Sequence, residues 1–568
     1  MYIEPFVLRE KTLGQLLDEA IERAPDADAV LYVDRDFRQT WKKFGADVDI
    51  LAKGLMALGV QKGEKVAIWA PNVPFWVGLM FACARIGAVL LTVNTSYREN
   101  EVEYLLRQSE CENLVVVDGL RDHDYLQTIH TILPEVRTQP RGEMRSPKLP
   151  YLKRVIFLGV EKHRGMYSIP EIKSLSVMIS DQQYEERKAS ISPYDVVNMQ
   201  YTSGTTGFPK GVMLTHVNIG NCGYWVGYHQ GFTEKDRICV PVPLFHCFGC
   251  VLAVMAAVNC SSALVILEAF SPVQVMTAIE TEKCTALYGV PTMFIAVMDH
   301  KIFDRIDFSS LRTGIMAGSV CPEPLLRRAF EKMNLTEITS VYGLTESSPG
   351  MTQTHRDEPF IRRVTTVGRA MPGVEVIIAD PETGEELPRG QVGEVRCRGY
   401  NVMKGYYKMP EETAKAITPE GWLCSGDLGT MDEEGYVAIT GRIKDMIIRG
   451  GENVYPREIE EFLSGMEGVQ DVQVVAVPSR KYGEEVGAFI IPKNGYEIFP
   501  EDVRDFCRGK IAWHKVPRYI HMLEKYPLTG SGKIQKFRLR EMAGELFPEA
   551  MAEKEYLKKD GLGSLPAV

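Results

Sequence analysis

Thr202-Ser203-Gly204-Thr205-Thr206-Gly207-Phe208-Pro209-Lys210-Gly211 gathers four hydroxyls, three glycines and a single lysine into one stretch. Glycine lacks a Cβ, so a loop of this kind can turn several backbone N–H groups toward one point. Such a nest holds anions. The hydroxyls of Thr202, Ser203, Thr205 and Thr206 add donors, and Lys210 adds a charge. That is chemistry for gripping a polyphosphate. The stretch is not a Walker A loop, because no Gly-Lys-Ser/Thr follows the glycines at the required spacing.

The loop needs rigid elements on both sides. Val196, Val197, Met199 and Tyr201 read as a strand running into it, and a helix is expected to start near Thr215 or His216. Upstream, Leu13, Leu16, Leu17, Ala20 and Ile21 follow helical spacing, and a second helix is expected from Thr40 to Leu58. Short apolar runs at 29–33, 65–69, 88–93 and 113–117 alternate with helical segments at 74–86 and 99–108. This pattern implies crossover connections and a parallel sheet covered on both faces. Residues 137–175, with Pro140, Pro147, Pro150 and several basic side chains, read as an irregular surface excursion. The runs 285–291 and 313–319 are strands ending in small residues, where α/β sheets place ligands. From about residue 360 the texture changes to short strands with glycine turns, read as a small β-barrel. A compact unit of helices and strands follows Arg442.

Further motifs stand in order along the chain: Tyr342-Gly343-Leu344-Thr345-Glu346-Ser347, Ser425-Gly426-Asp427, Gly441-Arg442-Ile443-Lys444-Asp445 and Gly530-Ser531-Gly532-Lys533. Together with 202–211 they resemble the adenylate-forming superfamily of acyl-CoA synthetases, peptide-synthetase adenylation domains and beetle luciferases. The resemblance runs from about residue 10 to about 545. It is nearest to medium-chain fatty-acyl-CoA synthetases, particularly through residues 445–456. It implies an α/β fold with parallel sheets, a small β-barrel and a small mobile α+β C-terminal domain. The division expected is 1–441 and 442–568, with a hinge near 442–445. It further implies a ligase that turns a carboxylic acid and ATP into an acyl-adenylate and pyrophosphate, then passes the acyl group to CoA with release of AMP.

The resemblance assigns roles residue by residue. Thr202, Ser203, Gly204, Thr205, Thr206, Gly207 and Lys210 would grip the pyrophosphate portion of ATP. Tyr342 would stack on adenine, with Gly318 and Ser319 on its other face. Thr345 would donate to phosphate, and Glu346 would hold Mg2+, a hard cation that takes oxygen ligands. Asp427 would accept the ribose hydroxyls beside Arg442, and Lys444 would lie at the hinge. Lys533 would bridge the substrate carboxylate and the α-phosphate. Gly450 and Gly451 would line the path of CoA's thin thioalkyl arm. His246 would close the carboxylate end of an acyl pocket walled by Phe248, Gly249, Tyr224, Trp225 and Tyr228. Residues 240–260 contain no Asp, Glu, Lys or Arg, which favours an uncharged acyl tail. Three alternatives stay open: loading of a carrier protein instead of CoA, an aryl acid as substrate, and a non-catalytic nucleotide sensor.

Composition excludes other classes. A length of 568 residues allows two to four domains. A net charge of −10 argues against nucleic-acid binding by bulk electrostatics. The 12 cysteines form no framework. Cys247 and Cys250 make one CxxC without the second pair a zinc site wants, so reduced thiols in a cytoplasmic compartment are expected. The first residues lack a basic segment followed by an apolar one, so no secretory signal is expected. The uncharged stretch from Ile238 to Leu267 is long enough to span a bilayer, but Pro241, Pro243, His246 and Asn259 interrupt it. It reads as strand, loop, buried helix and strand. A homodimer and peripheral membrane contact stay open.

Overall fold

Three threonines set the starts of three helices. Thr12 and Thr215 close capping boxes with Gln15 and Asn218, and Thr40 accepts the N–H of Lys43. The helices Leu13–Arg23, His216–His229 and Trp41–Ala57 therefore begin where the sequence marks them. A hydroxyl at this position satisfies an N–H that a helix start leaves unbonded. The computed structural model describes residues 5–202, 209–318, 321–450, 452–479, 482–530 and 532–547. The chain divides into two compact units, 1–376 with 396–425, and 377–395 with 426–568.

Two large sheets build the first unit. One runs Gly405–Tyr406, Lys210–Thr215, Val196–Thr202, Val89–Thr92, Lys65–Trp69, Asn113–Val116, Arg154–Phe157, Met166–Ser168. Its strands from Val196–Thr202 onward are parallel, and the two strands before it pair antiparallel. The other runs Glu337–Thr339, Thr313–Met316, Ala286–Gly289, Arg237–Val240, Ala263–Ile266, Asp28–Tyr32, Phe37–Thr40, parallel except for the last. Val66, Ile68, Leu91, Val115 and Ile266 are fully buried, as strands covered on both faces require. Each such side chain contributes about 1.5–3 kcal/mol on leaving water.

Two expectations are corrected. The stretch 137–175 is not an irregular excursion. Val155 and Ile156 are buried in an interior strand that pairs with Asn113–Val116 on one side and Met166–Ser168 on the other, and the helix Ile169–Leu175 follows. The apolar run at 155–158 is only four residues long, and the neighbouring prolines and basic side chains obscure it. The small β-barrel is not closed among the described residues. Val374–Ala379, Gly393–Gly399, Leu423–Met431 and Val437–Arg442 form an open four-stranded sheet.

The uncharged stretch resolves into the strand Arg237–Val240, a π-helical turn Phe248–Ala253, the helix Val254–Cys260 and the strand Ala263–Ile266. Among the described residues, no helix is long and apolar enough to cross a membrane. In the second unit the long antiparallel pair Val469–Ser479 and Gly483–Pro492 carries Ile447–Arg449 and Tyr519–Met522 beside it. Its core gathers Ile459, Leu463, Val474, Val486 and Val503, drawing on the helices Pro456–Ser464 and Pro500–Cys507.

Candidate active site

The strand Val196–Thr202 delivers Thr202 to the mouth of the glycine-rich loop. Ser203, Gly204, Thr205, Thr206 and Gly207 lie outside the described residues, as do Ser319 and Gly451. Thr202 donates its hydroxyl to Glu346 Oε1 at 3.3 Å. The hydroxyl of Tyr406 donates to the same oxygen at 2.9 Å. Glu346 sits in the 3-10 turn Thr345–Ser347, which follows the short strand Val341–Tyr342. Ser347 fixes this turn, because its Oγ accepts the N–H of Leu344 at 2.9 Å. A glycine is required at 343, since a Cβ there would lie 1.7 Å from the Pro349 carbonyl oxygen.

Lys210 opens the strand after the loop. It forms an ion pair with Glu412, stacks its Nζ 5.0 Å over the ring of Tyr406, and so sits beside the residue that holds Glu346. The Lys210 ammonium beside Glu412 holds that carboxyl down at about 2, with Lys415 adding to the effect. Burial, and then the neighbouring Glu346, pushes the Tyr406 hydroxyl well above its usual range, so it remains a proton donor. Tyr406 and Glu412 carry no signal in the sequence. They stand 60 and 66 positions from Glu346, and no spacing rule joins them to it.

Asn72 is a second residue that the sequence does not single out. It is buried, donates to the carbonyls of Val242 and Leu267, each at 3.0 Å, and accepts the N–H of Leu244 at 2.8 Å. It thereby pins the segment carrying His246. His246 Nδ1 accepts the N–H of Phe248 at 3.2 Å. Cys247 Sγ lies 3.7 Å from Thr345 Oγ1, so the two segments meet. Gly249 is also required, because a Cβ there would lie 2.4 Å from the Pro243 carbonyl oxygen. Trp225 is fully buried, with the rings of Tyr224 and Tyr228 at 5.1 and 5.3 Å. Gly318, at φ +90°, follows the strand Thr313–Met316. A cleft of about 870 Å3 in this unit is lined by Met213, Met403, Tyr406, Met409 and Ile417, and so shares Tyr406 with the surroundings of Glu346.

The second unit holds the other carboxylate. Asp427 and Arg442 face each other across antiparallel strands, and Arg442 Nε lies 2.8 Å from Asp427 Oδ1. Asp427 is buried, whereas the arginine side chain is 49% exposed. Lys444 follows in the turn Ile443–Asp445. Burial, then the charge of Arg442, lowers its pKa. Asp445 pairs with Arg540 on the helix Lys536–Leu546. Gly450 adopts φ +64° and donates its N–H to the Tyr482 carbonyl at 2.8 Å. Lys533 ends a tight hairpin in which Thr529 donates to its carbonyl at 2.7 Å and Gly532 turns at φ +82°.

Among the described residues no cluster of three or more His, Cys, Asp or Glu could cage a metal ion. The donor set around Glu346 fits a different kind of site. It offers one carboxylate and hydroxyl oxygens, the hard donors Mg2+ prefers, and Mg2+ is commonly held by one or two carboxylates together with substrate phosphates.

The chain matches the family described as AMP-binding enzyme over residues 17–407, and the AMP-binding enzyme C-terminal domain over residues 458–533. YngI of Bacillus subtilis (strain 168), assigned as an acyl-CoA synthetase, is 50% identical over 540 residues, covering 95% of this chain and 98% of its own length. The mitochondrial medium-chain acyl-CoA ligase ACSF2 of Danio rerio is 39% identical over 537 residues, covering 94% of this chain and 88% of its own length. Among solved structures, ATP-bound MatB of Rhodopseudomonas palustris superposes with a TM-score of 0.81 at 28% identity, covering 94% of this chain and 99% of that one.

Proposed function

We propose that this chain, which belongs to the AMP-binding enzyme family, is an AMP-forming acid–CoA ligase, as its acyl-CoA synthetase and ligase relatives support. The observation that carries the reading is the Glu346 carboxylate, held by Thr202 at the entrance to the phosphate loop. A carboxylate oxygen of the acid attacks the α-phosphorus of ATP, and the bond to pyrophosphate breaks. The CoA sulfur then attacks the acyl carbonyl, its proton is lost, and AMP departs with the bonding pair.

Catalysis of such transfers rests on positioning and on charge aimed at the reacting phosphates. Thr202, Ser203, Gly204, Thr205, Thr206, Gly207 and Thr345 hold phosphate oxygens. Tyr342 stacks on adenine beside Gly318 and Ser319. Glu346 would hold Mg2+, and that ion supplies positive charge against the departing pyrophosphate. Asp427 accepts the ribose hydroxyls, with Arg442 beside it. Lys533 neutralises the carboxylate and α-phosphate as they approach. His246 closes the carboxylate end of the acyl site, and Gly450 and Gly451 admit the pantetheine arm. The C-terminal domain, from residue 442, turns about 442–445 at Lys444 between the two half-reactions.

The acid is a medium-chain fatty acid or a similarly apolar one, supported by the uncharged, buried segment 240–260. A second reading, an aryl acid, draws support from the ring cluster of Tyr224, Trp225 and Tyr228. The 12 free cysteines, most of them buried, are consistent with a reducing cytoplasm.

The test is pyrophosphate release and thioester formation over a panel from acetate to palmitate with benzoate, using free CoA. A CoA-dependent product peaking at medium chains supports the reading. A maximum at benzoate selects the aryl acid. Pyrophosphate release without a CoA thioester moves the function to carrier-protein loading.

A further inference from the structure

Tyr406 is held from several sides beside Glu346, and the function above gives it no role. Its backbone is pinned from two sides. The N–H of Tyr406 reaches Thr413 Oγ1 at 2.9 Å, and Tyr407 N–H reaches the Gly211 carbonyl at 2.8 Å. Gly405 beside it has φ +134°, and a Cβ there would meet Thr413 Cγ2 at 2.9 Å. The ring is capped by the Lys210 ammonium, itself paired with Glu412 on the helix Pro410–Ala416. The hydroxyl then reaches Glu346 Oε1 at 2.9 Å. Thr202 donates to the same oxygen, and among the described residues Oε2 accepts no hydrogen bond. Two neutral donors therefore fix the carboxylate's orientation without cancelling its charge.

We propose that Tyr406 is a positioning residue for Glu346, which holds Oε1 so that Oε2 is presented to the divalent cation accompanying ATP, and that the Lys210–Glu412 pair braces its ring. Hydrogen bonds to the far side of a ligating group set its orientation and basicity. The inference rests on the reading of Glu346 as the metal carboxylate. It assigns Lys210 a bracing task in addition to any contact with phosphate.

The test is Mn2+ binding to the full-length protein, read from the electron paramagnetic resonance signal of free Mn2+ in the presence of a non-hydrolysable ATP analogue. Tyr406→Phe keeps the ring and its packing and removes only the hydroxyl. It is expected to weaken Mn2+ about tenfold, with no change in metal-free analogue affinity or in thermal midpoint. Glu346→Gln should weaken Mn2+ at least as much, and the double variant no more than Glu346→Gln alone. In pyrophosphate exchange, the half-saturating Mg2+ of Tyr406→Phe should rise by a similar factor, with the ATP KM at saturating Mg2+ unchanged. Glu412→Gln, at the edge of the site, should weaken Mn2+ two- to threefold, roughly the worth of a partly exposed ion pair. If Tyr406→Phe binds Mn2+ as the parent does while Glu346→Gln does not, the inference falls and the functional reading stands. If Glu346→Gln also binds as the parent does, the metal assignment of Glu346 itself falls and takes the inference with it.

Discussion

Glu346 and Asp427 are two carboxylates in two different settings. Glu346, in the first unit, is held by two neutral hydroxyls. Asp427, in the second, is buried against a guanidinium. Neutral donors orient a carboxylate and leave its full charge for a cation. A cationic partner compensates the charge and leaves lone pairs suited to neutral hydroxyls. The two environments differ in the way the proposed roles, metal for Glu346 and ribose for Asp427, would require, and residue type alone does not distinguish them.

The largest effect belongs to the second unit and does not involve either carboxylate. Lys533→Ala should lower carboxylate-dependent ATP–pyrophosphate exchange by about 10²–10³-fold, the scale of one lost charge-stabilising contact. Measured ATP affinity should hold, because the hairpin is closed by backbone bonds. A variant that loses ATP binding instead would make Lys533 a ground-state contact and blur the division.

Next comes Asp427→Asn. It removes the charge of the buried carboxylate paired with Arg442 and should raise the ATP KM about tenfold, the cost of weakening a charged hydrogen bond, while the Mg2+ dependence stays at the parent's. Steady-state kinetics at fixed free Mg2+ reads both. A smaller change is expected from Lys210→Met, which uncaps the ring of Tyr406. Exchange should fall several-fold beyond what Glu412→Gln causes, because the lysine faces both the ring and the loop.

The smallest effect is a baseline for the second unit. Burial pushes the Asp471 carboxyl up to about 6, against about 3.9 in an unfolded chain. The folded state then binds the proton more tightly, so this group's contribution to stability is greatest at low pH and falls as pH rises from about 4 to about 6. Asp471→Asn should gain on the parent across that window and run level above it, measured as the difference in urea midpoints.

Much of this was legible in the sequence. The motifs around Thr202, Tyr342–Glu346, Asp427 and Arg442 stand out by residue type, and the structure sets Thr202 against Glu346 and Asp427 against Arg442. Helix starts at Thr12, Thr40 and Thr215 follow from local capping. What stayed hidden depends on distant strand pairing. Tyr406 faces Glu346 only because Gly405–Tyr406 adds to the edge strand Lys210–Thr215, and no local pattern announces such an addition. Asn72 pins the His246 segment across 170 positions for the same reason. The strand at 154–157 was masked by its basic and proline-rich surroundings. The open four-stranded sheet was read as a barrel because short strands with glycine turns look alike whether or not they close.

The division between the carboxylates is tested most directly by ATP–pyrophosphate exchange over a grid of free Mg2+ and ATP, for Glu346→Gln and Asp427→Asn side by side. The predicted result is a split: Glu346→Gln moves the Mg2+ dependence by about 10–100-fold, and Asp427→Asn moves the ATP KM at unchanged Mg2+ dependence. Both variants shifting the Mg2+ dependence alike, or neither shifting it, would contradict the account.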